Sequence, residues 1–374
     1  MIVRNESPVM RRCLKSVKSL IDYWVIVDTG SDDGTQEIIS DEMQGIPGVL
    51  YERPWVDFSH NRTEALDLAK GKGDYVLLID ADEEVVMAEG FELPELTEQL
   101  YLVDVHLGLL SAYRELFINN HLDWYWVGVL HEQICCKTPL NSYGTIQGIR
   151  NVSHPDGCRS LDPQKFLKEL EILKRGLEKE PKNSRYMFYL AQTQAACGHW
   201  KEARESYTKR AEMSGWDMEA YQSLYRIGLL EEMLQYPPFK VIESYQRANR
   251  FLPIRAEPIF RIAYQYYFLG NFREAKRIAA IGCTLKIPDA RHAFYIEPFI
   301  YESWMAKLFA DCCFDLGEEN EALQGYLKIK DAPSLSKEAK DEIKIKIVEL
   351  RDRLNQSSGL NTFRKSNFSK KIQF

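Results

Sequence analysis

The chain of 374 residues is 45% hydrophobic and 28% charged, which is typical of globular proteins with enough apolar mass for two or three domains. Its net charge of −7 argues against a nucleic-acid-binding protein, because phosphate backbones are bound by basic surfaces. No apolar run reaches the roughly 18 residues of a membrane span, and we expect no signal peptide. The eight cysteines lack zinc-site spacing, so we expect reduced thiols and a cytoplasmic protein.

Two buried strands, Trp24–Asp28 and Tyr75–Asp80, are predicted in the N-terminal part of the chain. Each is a continuous apolar run that ends in acidic residues, and a predicted helix over Gln36–Glu42 follows the first strand. Such runs separated by helices indicate an α/β domain with a parallel sheet covered on both faces. Ligands of these sheets bind beyond the carboxyl ends of the strands, where both acidic clusters lie.

From Leu161 onward, apolar residues recur at helical spacing and an internal repeat appears. Its copies share small residues where two helices would cross and a glycine in the turn between them: Leu190, Ala191, Gly198, Ala203 and Tyr207; Ile262, Ala263, Tyr266, Gly270 and Ala275; Phe309, Ala310, Gly317, Ala322 and Tyr326. The spacing resembles that of tetratricopeptide repeats, whose stacked helix pairs share one core. A helical bundle without true repeats is the alternative.

Four carboxylates crowd the end of the second predicted strand, at Asp80, Asp82, Glu83 and Glu84. Carboxylates this close repel one another unless a cation neutralises them, and their oxygens suit Mg²⁺ or Mn²⁺. Taken alone, the four acids fit an exposed acidic turn better than a metal site.

Two further segments favour a nucleotide site near these acids. After the first strand, the turn from Asp28 to Thr35 combines an acid that could hold a ribose or a base with glycines that allow close backbone approach. Its alternative is a plain turn into a helix. Downstream, Arg62 could pair with a phosphate, or form a surface ion pair instead.

These motifs together resemble the family-2 glycosyltransferases of the GT-A fold, and among them those joined to tetratricopeptide repeats, such as lipopolysaccharide-core-type transferases and peptide S-glycosyltransferases. The residues that carry the resemblance are Met1-Ile-Val-Arg-Asn-Glu6, Asp28-Thr-Gly-Ser-Asp-Asp-Gly-Thr35, Asp57-Phe-Ser-His-Asn-Arg62, Asp80-Ala-Asp-Glu83, Trp126-Val-Gly-Val-Leu-His-Glu132 and Ile149 to His154. The resemblance implies an α/β GT-A, Rossmann-like nucleotide-sugar domain followed by an all-α tetratricopeptide-like helical repeat domain.

The resemblance also implies how the donor is held. Arg4, Glu6 and Asp28 would line the nucleotide pocket. Asp80 would contact the donor sugar.

A metal and a base complete the implied site. Asp82 would bind Mn²⁺ or Mg²⁺, and His154 would be a further ligand of the metal or the diphosphate. Glu132 is the candidate catalytic base, and His131 is either the alternative base or a group that orients the acceptor.

The predicted domains are residues 1–157 for the transferase, 158–353 for the repeats and 354–374 for a basic, disordered tail. The implied reaction is inverting transfer of a sugar from a nucleoside diphosphate, expected to be UDP, to a protein, peptide or glycan acceptor. The repeats would bind that acceptor or form a homodimer. A sugar nucleotidyltransferase and a non-catalytic repeat scaffold with a degenerate transferase domain are the alternatives.

Overall fold

The structure is a computed structural model that describes the backbone of residues 1–368 and the side chains of residues 1–356. The predicted tail at 354–374 therefore lies, beyond its first three residues, outside the described side chains. The chain divides into two compact units, the first Met1–Ser223 with Asp289–Ile296 and the second Leu224–Pro288 with Glu297–Phe374. The predicted domain boundary after residue 157 stays a prediction. Of the helices described, none is long and apolar enough to cross a bilayer.

Strands dominate the first part of the chain and helices the rest. The strands are β1 (Ile2–Val3), β2 (Trp24–Asp28), β3 (Gly48–Glu52), β4 (Tyr75–Leu77), β5 (Glu83–Met87), β6 (Leu100–Leu107), β7 (Leu110–Asn119), β8 (Trp124–Val127), β9 (Gln133–Cys136) and β10 (Gly144–Ser153). The helices are α1 (Ser7–Val17), α2 (Thr35–Glu42), α3 (Phe58–Ala69), α4 (Lys165–Lys179), α5 (Ser184–Ala196), α6 (Trp200–Glu212), α7 (Asp217–Met233), α8 (Pro238–Phe251), α9 (Ala256–Phe268), α10 (Phe272–Gly282), α11 (Met305–Asp315), α12 (Glu319–Ile329) and α13 (Lys337–Phe368).

A three-stranded parallel sheet, in the order β1-β2-β3, begins the first unit. Its register aligns Val3 with Asp28 and Asp28 with Glu52, so the three strands end at one edge. Apolar residues of α1 and α2, including Met10 and Ile39, are fully buried in the core beside it. The predicted strand at Trp24–Asp28, its parallel pairing and the helix that follows are confirmed.

A second, five-stranded sheet has the order β4-β7-β6-β10-β5, and within it only β6 and β10 run parallel. The predicted strand Tyr75–Asp80 ends at Leu77 and pairs antiparallel with β7. The expectation of one parallel sheet is therefore wrong for this half, because a continuous apolar run fits any strand buried on both faces. The Rossmann-like GT-A assignment stays a prediction.

A cavity of about 680 Å³ lies among β2, β4, α1 and α3. Apolar side chains such as Leu14, Ile26 and Leu66 form much of its lining. Arg62 reaches it, whereas the strand-end acids Asp28 and Asp82 are not among the described residues that line it. Apart from Arg62, the residues predicted to hold the nucleotide are not among those that line the cavity.

Helix pairs follow the sheets, and in three of these pairs the turn between the two helices contains a glycine. In the first unit, Gly198 joins α5 to α6 with a φ of 77°. In the second unit, Gly270 and Gly317 join their pairs with φ values of 71° and 73°. Only glycine adopts this left-handed conformation at little cost. Ala203, Ala275 and Ala322 are 0% exposed at the predicted crossing points. The tetratricopeptide-like helix pairs are confirmed.

Candidate active site

The loops after β1 and β2 bind each other at the carboxyl edge of the parallel sheet. The backbone amide of Asn5 donates to Ser31 Oγ at 2.9 Å, and that of Glu6 donates to Thr35 Oγ1 at 2.9 Å. Asn5 itself is left-handed, with a φ of 56°. The structure thus brings the first two predicted motifs together as one surface.

Asp28 occupies the centre of this surface and is 1% exposed. Its Oδ1 accepts hydrogen bonds from the amides of Gly30 at 2.7 Å and Ser31 at 2.8 Å. Its Oδ2 is buried and has no hydrogen-bond partner within the described part of the chain. A buried carboxylate oxygen without a partner is costly, so this atom is suited to accept a hydrogen bond from a ligand.

Glu6 and Arg4 follow β1 on the same edge. Burial, and then the charges of Asp82 and Asp33, raise the pKa of Glu6 to about 7, against the lowering effect of a 3.1 Å hydrogen bond from the Cys158 amide to its Oε2. Arg4 is exposed to solvent. Glu6 is therefore half-buried among acids, whereas Arg4 remains accessible to an anionic ligand.

Arg62 of α3 holds Asp80 through two charged hydrogen bonds. Its Nη1 lies 2.8 Å from Asp80 Oδ1 and its Nη2 lies 2.9 Å from Asp80 Oδ2. Burial alone would raise the pKa of Asp80, but the charge of Arg62 lowers it to about 2. Arg62 is thus engaged with a carboxylate, and its predicted contact with phosphate stays a prediction.

Asp82 and His154 are neighbours through their backbones, since the His154 amide donates to the Asp82 carbonyl at 3.0 Å. Burial, followed by the charges of Asp80 and Glu83, raises the pKa of Asp82 to about 6. The ring of His154 contacts a different acid, with Nε2 at 3.1 Å from Glu84 Oε2. Asp82 has no ion pair with any lysine or arginine of residues 1–356.

The donor set at Asp82 and His154 suits a divalent cation in part. Carboxylate oxygen and imidazole nitrogen are both ligands of Mn²⁺, and the repulsion that raises the Asp82 pKa would be relieved by a cation. The side chains described do not bring three such ligands together here. A diphosphate would have to supply the remaining oxygens.

The three-residue cluster that does converge lies elsewhere, at Cys313, Glu318 and Glu321. Both of its carboxylates form ion pairs with the ammonium group of Lys276. Lys276 therefore already pairs with both carboxylates of this cluster.

Glu132 follows a turn after β8 in which Gly128 and His131 are both left-handed, with φ values of 126° and 52°. The Glu132 side chain is 8% exposed, and its Oε2 lies 3.5 Å from Nε of Arg62. Its buried Oε1 has no hydrogen-bond partner among residues 1–356. Burial raises the pKa of Glu132, although the charge of Arg62 opposes this shift. Through Arg62, the predicted base is linked to the predicted sugar-binding Asp80.

The side chain of His131, the alternative base, contacts helix α5. Its ring stacks on Tyr189 of α5, with centroids 3.9 Å apart and an interplanar angle of 8°. Burial, and then the charges of Arg159 and Arg185, lower its pKa to about 3. His131 is therefore neutral at physiological pH and a weak base.

The sequence analysis missed several residues that organise the site. Arg114 of β7 donates to Glu83 Oε2 at 2.7 Å, and the same oxygen accepts from the Asp80 amide at 3.0 Å. Arg12 forms two hydrogen bonds with Asp156, at 2.6 and 2.8 Å. An arginine within the apolar run of β7 was a usable signal for Arg114, whereas no pattern marked the pair of Arg12 and Asp156.

Comparison with protein families matches residues 1–89 to the model described as Glycosyl transferase family 2. The resemblance to family-2 glycosyltransferases is confirmed. The matched segment carries the loops of Glu6 and Asp28 and the acids that follow β4, whereas Glu132 and His154 lie beyond it.

Relatives share parts of the chain. The glycosyltransferase SunS of Bacillus subtilis is 23% identical over 230 residues, which are 56% of this chain and 53% of that protein. A TPR repeat-containing protein of Synechococcus elongatus is 38% identical over 100 residues, 26% of this chain and 23% of the relative. This chain thus spans between a quarter and about half the length of these relatives. Among solved structures, MamA aligns with a TM-score of 0.36 and 17% identity over 51% of this chain and 92% of its own.

Proposed function

We propose that this protein is an inverting glycosyltransferase that moves a sugar from a nucleoside diphosphate, UDP in particular, to a protein, peptide or glycan acceptor. The matches to glycosyltransferase family 2 and to SunS support the general class. The observation that carries the finer proposal is Glu132, a buried carboxylate with an unpartnered Oε1 that Arg62 links to Asp80.

The donor would lie on the edge formed by the loops after β1 and β2. Asp28 Oδ2 is available to accept a hydrogen bond from a ribose hydroxyl or a base N–H. Glu6 and Arg4 flank it, and Asp80 faces the sugar. Asp82 and His154 would hold Mn²⁺ or Mg²⁺, which supplies positive charge for the leaving diphosphate.

Glu132 would act as the base. The acceptor atom forms a bond to the anomeric carbon and loses its proton to Glu132 Oε1, while the bond from that carbon to the diphosphate breaks on the opposite face. General-base catalysis of this kind contributes about 10²–10⁴-fold to the rate. Its raised pKa makes Glu132 a stronger base than an exposed glutamate, which suits it to this step.

The helix pairs would bind the acceptor or a second copy of the chain. Stacked helix pairs present extended surfaces for peptides, which supports a protein or peptide acceptor. The cytoplasmic location and the homodimer are predictions of the same kind.

A hydrolysis screen tests this proposal without knowledge of the acceptor. Purified protein is incubated with UDP-, GDP- and CDP-sugars in the presence of Mn²⁺, and release of free sugar and nucleoside diphosphate is measured. We expect release from at least one donor, with loss of activity in Glu132→Gln and no change in the exposed-surface control Glu171→Gln. In a parallel incubation with added pyrophosphate, formation of a nucleoside triphosphate and a sugar 1-phosphate would indicate a nucleotidyltransferase. Absence of any turnover or nucleotide binding would indicate a scaffold.

A further inference from the structure

The turn that carries Glu132 is held by α5, the first helix of the first predicted repeat copy. The backbone amide of Val129 donates to the hydroxyl of Tyr186 at 3.2 Å, and Nε of Arg185 donates to the carbonyl of His131 at 2.9 Å. The ring of His131 lies flat on Tyr189. Three residues in the first half of α5 thus contact two of the three positions that precede Glu132, namely Val129 and His131.

This turn has an unfavourable conformation that needs external support. His131 is a non-glycine residue with a φ of 52°, a conformation that costs about 1–3 kcal/mol unless the surroundings stabilise it. A side chain at Gly128 would come within 3.4 Å of the Glu132 Cα, so the turn is tight. Gly128 adopts its conformation at little cost, and contacts from α5 offset the cost at His131.

The side chain of Arg185 is itself held by a buried carboxylate, that of Glu219. Its Nη1 donates to Glu219 Oε1 at 2.7 Å, and the other oxygen of that carboxylate lies 3.3 Å from Nη2 of Arg210. Glu219 and Arg210 are 1% and 0% exposed. The guanidinium of Arg185 also lies over the Tyr189 ring, 5.0 Å from its centroid. A buried charge network within the first unit therefore sets the position of Arg185.

The opposite side of the turn is fixed by α3. The Ser59 hydroxyl donates to the Gly128 carbonyl, and the Trp126 amide donates to Thr63 Oγ1 at 2.9 Å. The same helix carries Arg62, which contacts Glu132. The turn is thus held on one side by α3, which also carries Arg62, and on the other side by α5.

We propose that Arg185, Tyr186 and Tyr189 are positioning residues that hold Glu132 in place for catalysis, so that the first helix pair is a component of the active site as well as part of a repeat array. The inference rests on the proposed function. It assigns a chemical role to helical residues that lie outside the segment matched to family 2.

Steady-state kinetics with a hydrolysed donor tests this role. We expect Arg185→Ala to lower kcat by about 10²-fold with an unchanged KM for the donor, because the base is misplaced while the donor edge is intact. Arg185→Lys should recover part of kcat, since an ammonium group can restore one charged hydrogen bond. Arg175→Ala is the matched control, because Arg175 is an exposed arginine of α4 whose partner is Glu171.

A milder variant and a structural readout keep the test interpretable if Arg185→Ala folds poorly. Tyr186→Phe removes a single hydroxyl and should lower kcat roughly two- to tenfold. Amide hydrogen exchange should become faster at residues 128–132 in both variants and not in Arg175→Ala.

Two outcomes separate the two proposals. Wild-type protein that turns over no nucleotide sugar contradicts the proposed function, and the positioning role falls with it. An active wild type whose Arg185→Ala and Tyr186→Phe variants keep the wild-type kcat contradicts the positioning role alone.

Discussion

At the scale of single residues, the site contrasts two carboxylates in different states. Asp80 is neutralised by Arg62, and its pKa is held near 2, whereas Glu132 is buried with one oxygen unpaired and a raised pKa. The same arginine contacts both. This arrangement keeps one acid permanently charged and leaves the other ready to take a proton.

Glu132→Gln should reduce donor hydrolysis by about 10²–10⁴-fold and leave nucleotide affinity unchanged. The amide fills the same space but cannot accept a proton as a carboxylate does. Initial rates and calorimetric titration of UDP measure the two quantities, and loss of affinity together with rate would indicate that Glu132 binds the donor.

The pH dependence of hydrolysis should report the same group. The base acts when ionised, and its pKa lies above the ordinary glutamate value because burial outweighs the charges of Arg62 and Arg159, with Asp80 adding to the rise. Activity should therefore fall as the pH drops through this raised pKa. The residual activity of Glu132→Gln should lack that acidic limb, and an identical profile in both proteins would exclude Glu132 as the titrating group.

Arg62→Ala should lower the free energy of unfolding by about 2–4 kcal/mol, because it leaves the buried carboxylate of Glu132 and the partly buried carboxylate of Asp80 uncompensated. Arg53→Ala is its control, since Arg53 forms a more exposed pair with Glu64 on the same helix and should cost about 0–1 kcal/mol. Urea denaturation compares them. Equal losses would mean that the Arg62 pair is worth no more than a surface bridge.

At the scale of elements, local sequence patterns predicted where strands and helices lie better than they predicted how the strands pair. β2, α2 and the helix pairs follow from apolar periodicity and turn glycines. The antiparallel pairing of β4 could not be predicted, because pairing depends on contacts distant in sequence. The clamp on Glu132 was missed for the same reason, since Arg185 is 53 positions away in the chain and has no motif of its own.

The loop after β10 sets the space around Asp82. A Cβ added to Gly157 would lie 2.9 Å from Asp82 Oδ2, and Gly157 does not have a left-handed φ, so Gly157→Ala tests space alone. We expect roughly tenfold weaker binding of UDP with Mn²⁺, measured by calorimetry. Gly73→Ala is the control, because its added Cβ would have its nearest neighbour at 3.7 Å, and it should bind normally. Equal affinities for the two variants would contradict the expectation that space around Asp82 is needed for binding.

The turn glycines of the helix pairs contribute conformational freedom. Gly270 has a φ of 71° and nothing within 4 Å of its added Cβ, so Gly270→Ala should cost about 1 kcal/mol of unfolding free energy through strain alone. Gly270→Asn should cost less, because asparagine tolerates this conformation. Thermal or urea unfolding measures both, and equal losses for alanine and asparagine would contradict the strain argument.

At the scale of the whole molecule, the two compact units contain different elements. The first contains both larger sheets, the family-2 segment and the helix pair α5/α6 that clamps Glu132, whereas the second consists of further helix pairs. All the residues proposed for chemistry, from Arg4 to His154, belong to the first unit. The division indicates that catalysis and the first helix pair form one structural unit.

Calorimetric titration of UDP into the protein, with and without Mn²⁺, tests the central claim most directly, namely that the edge of Asp28 and Asp82 binds a nucleoside diphosphate through a divalent ion. We predict Mn²⁺-dependent binding to the wild type and to Glu132→Gln, and at least tenfold weaker binding to Asp82→Ala. A UDP affinity that is the same with and without Mn²⁺ and in Asp82→Ala, or no UDP binding at all, would contradict the account.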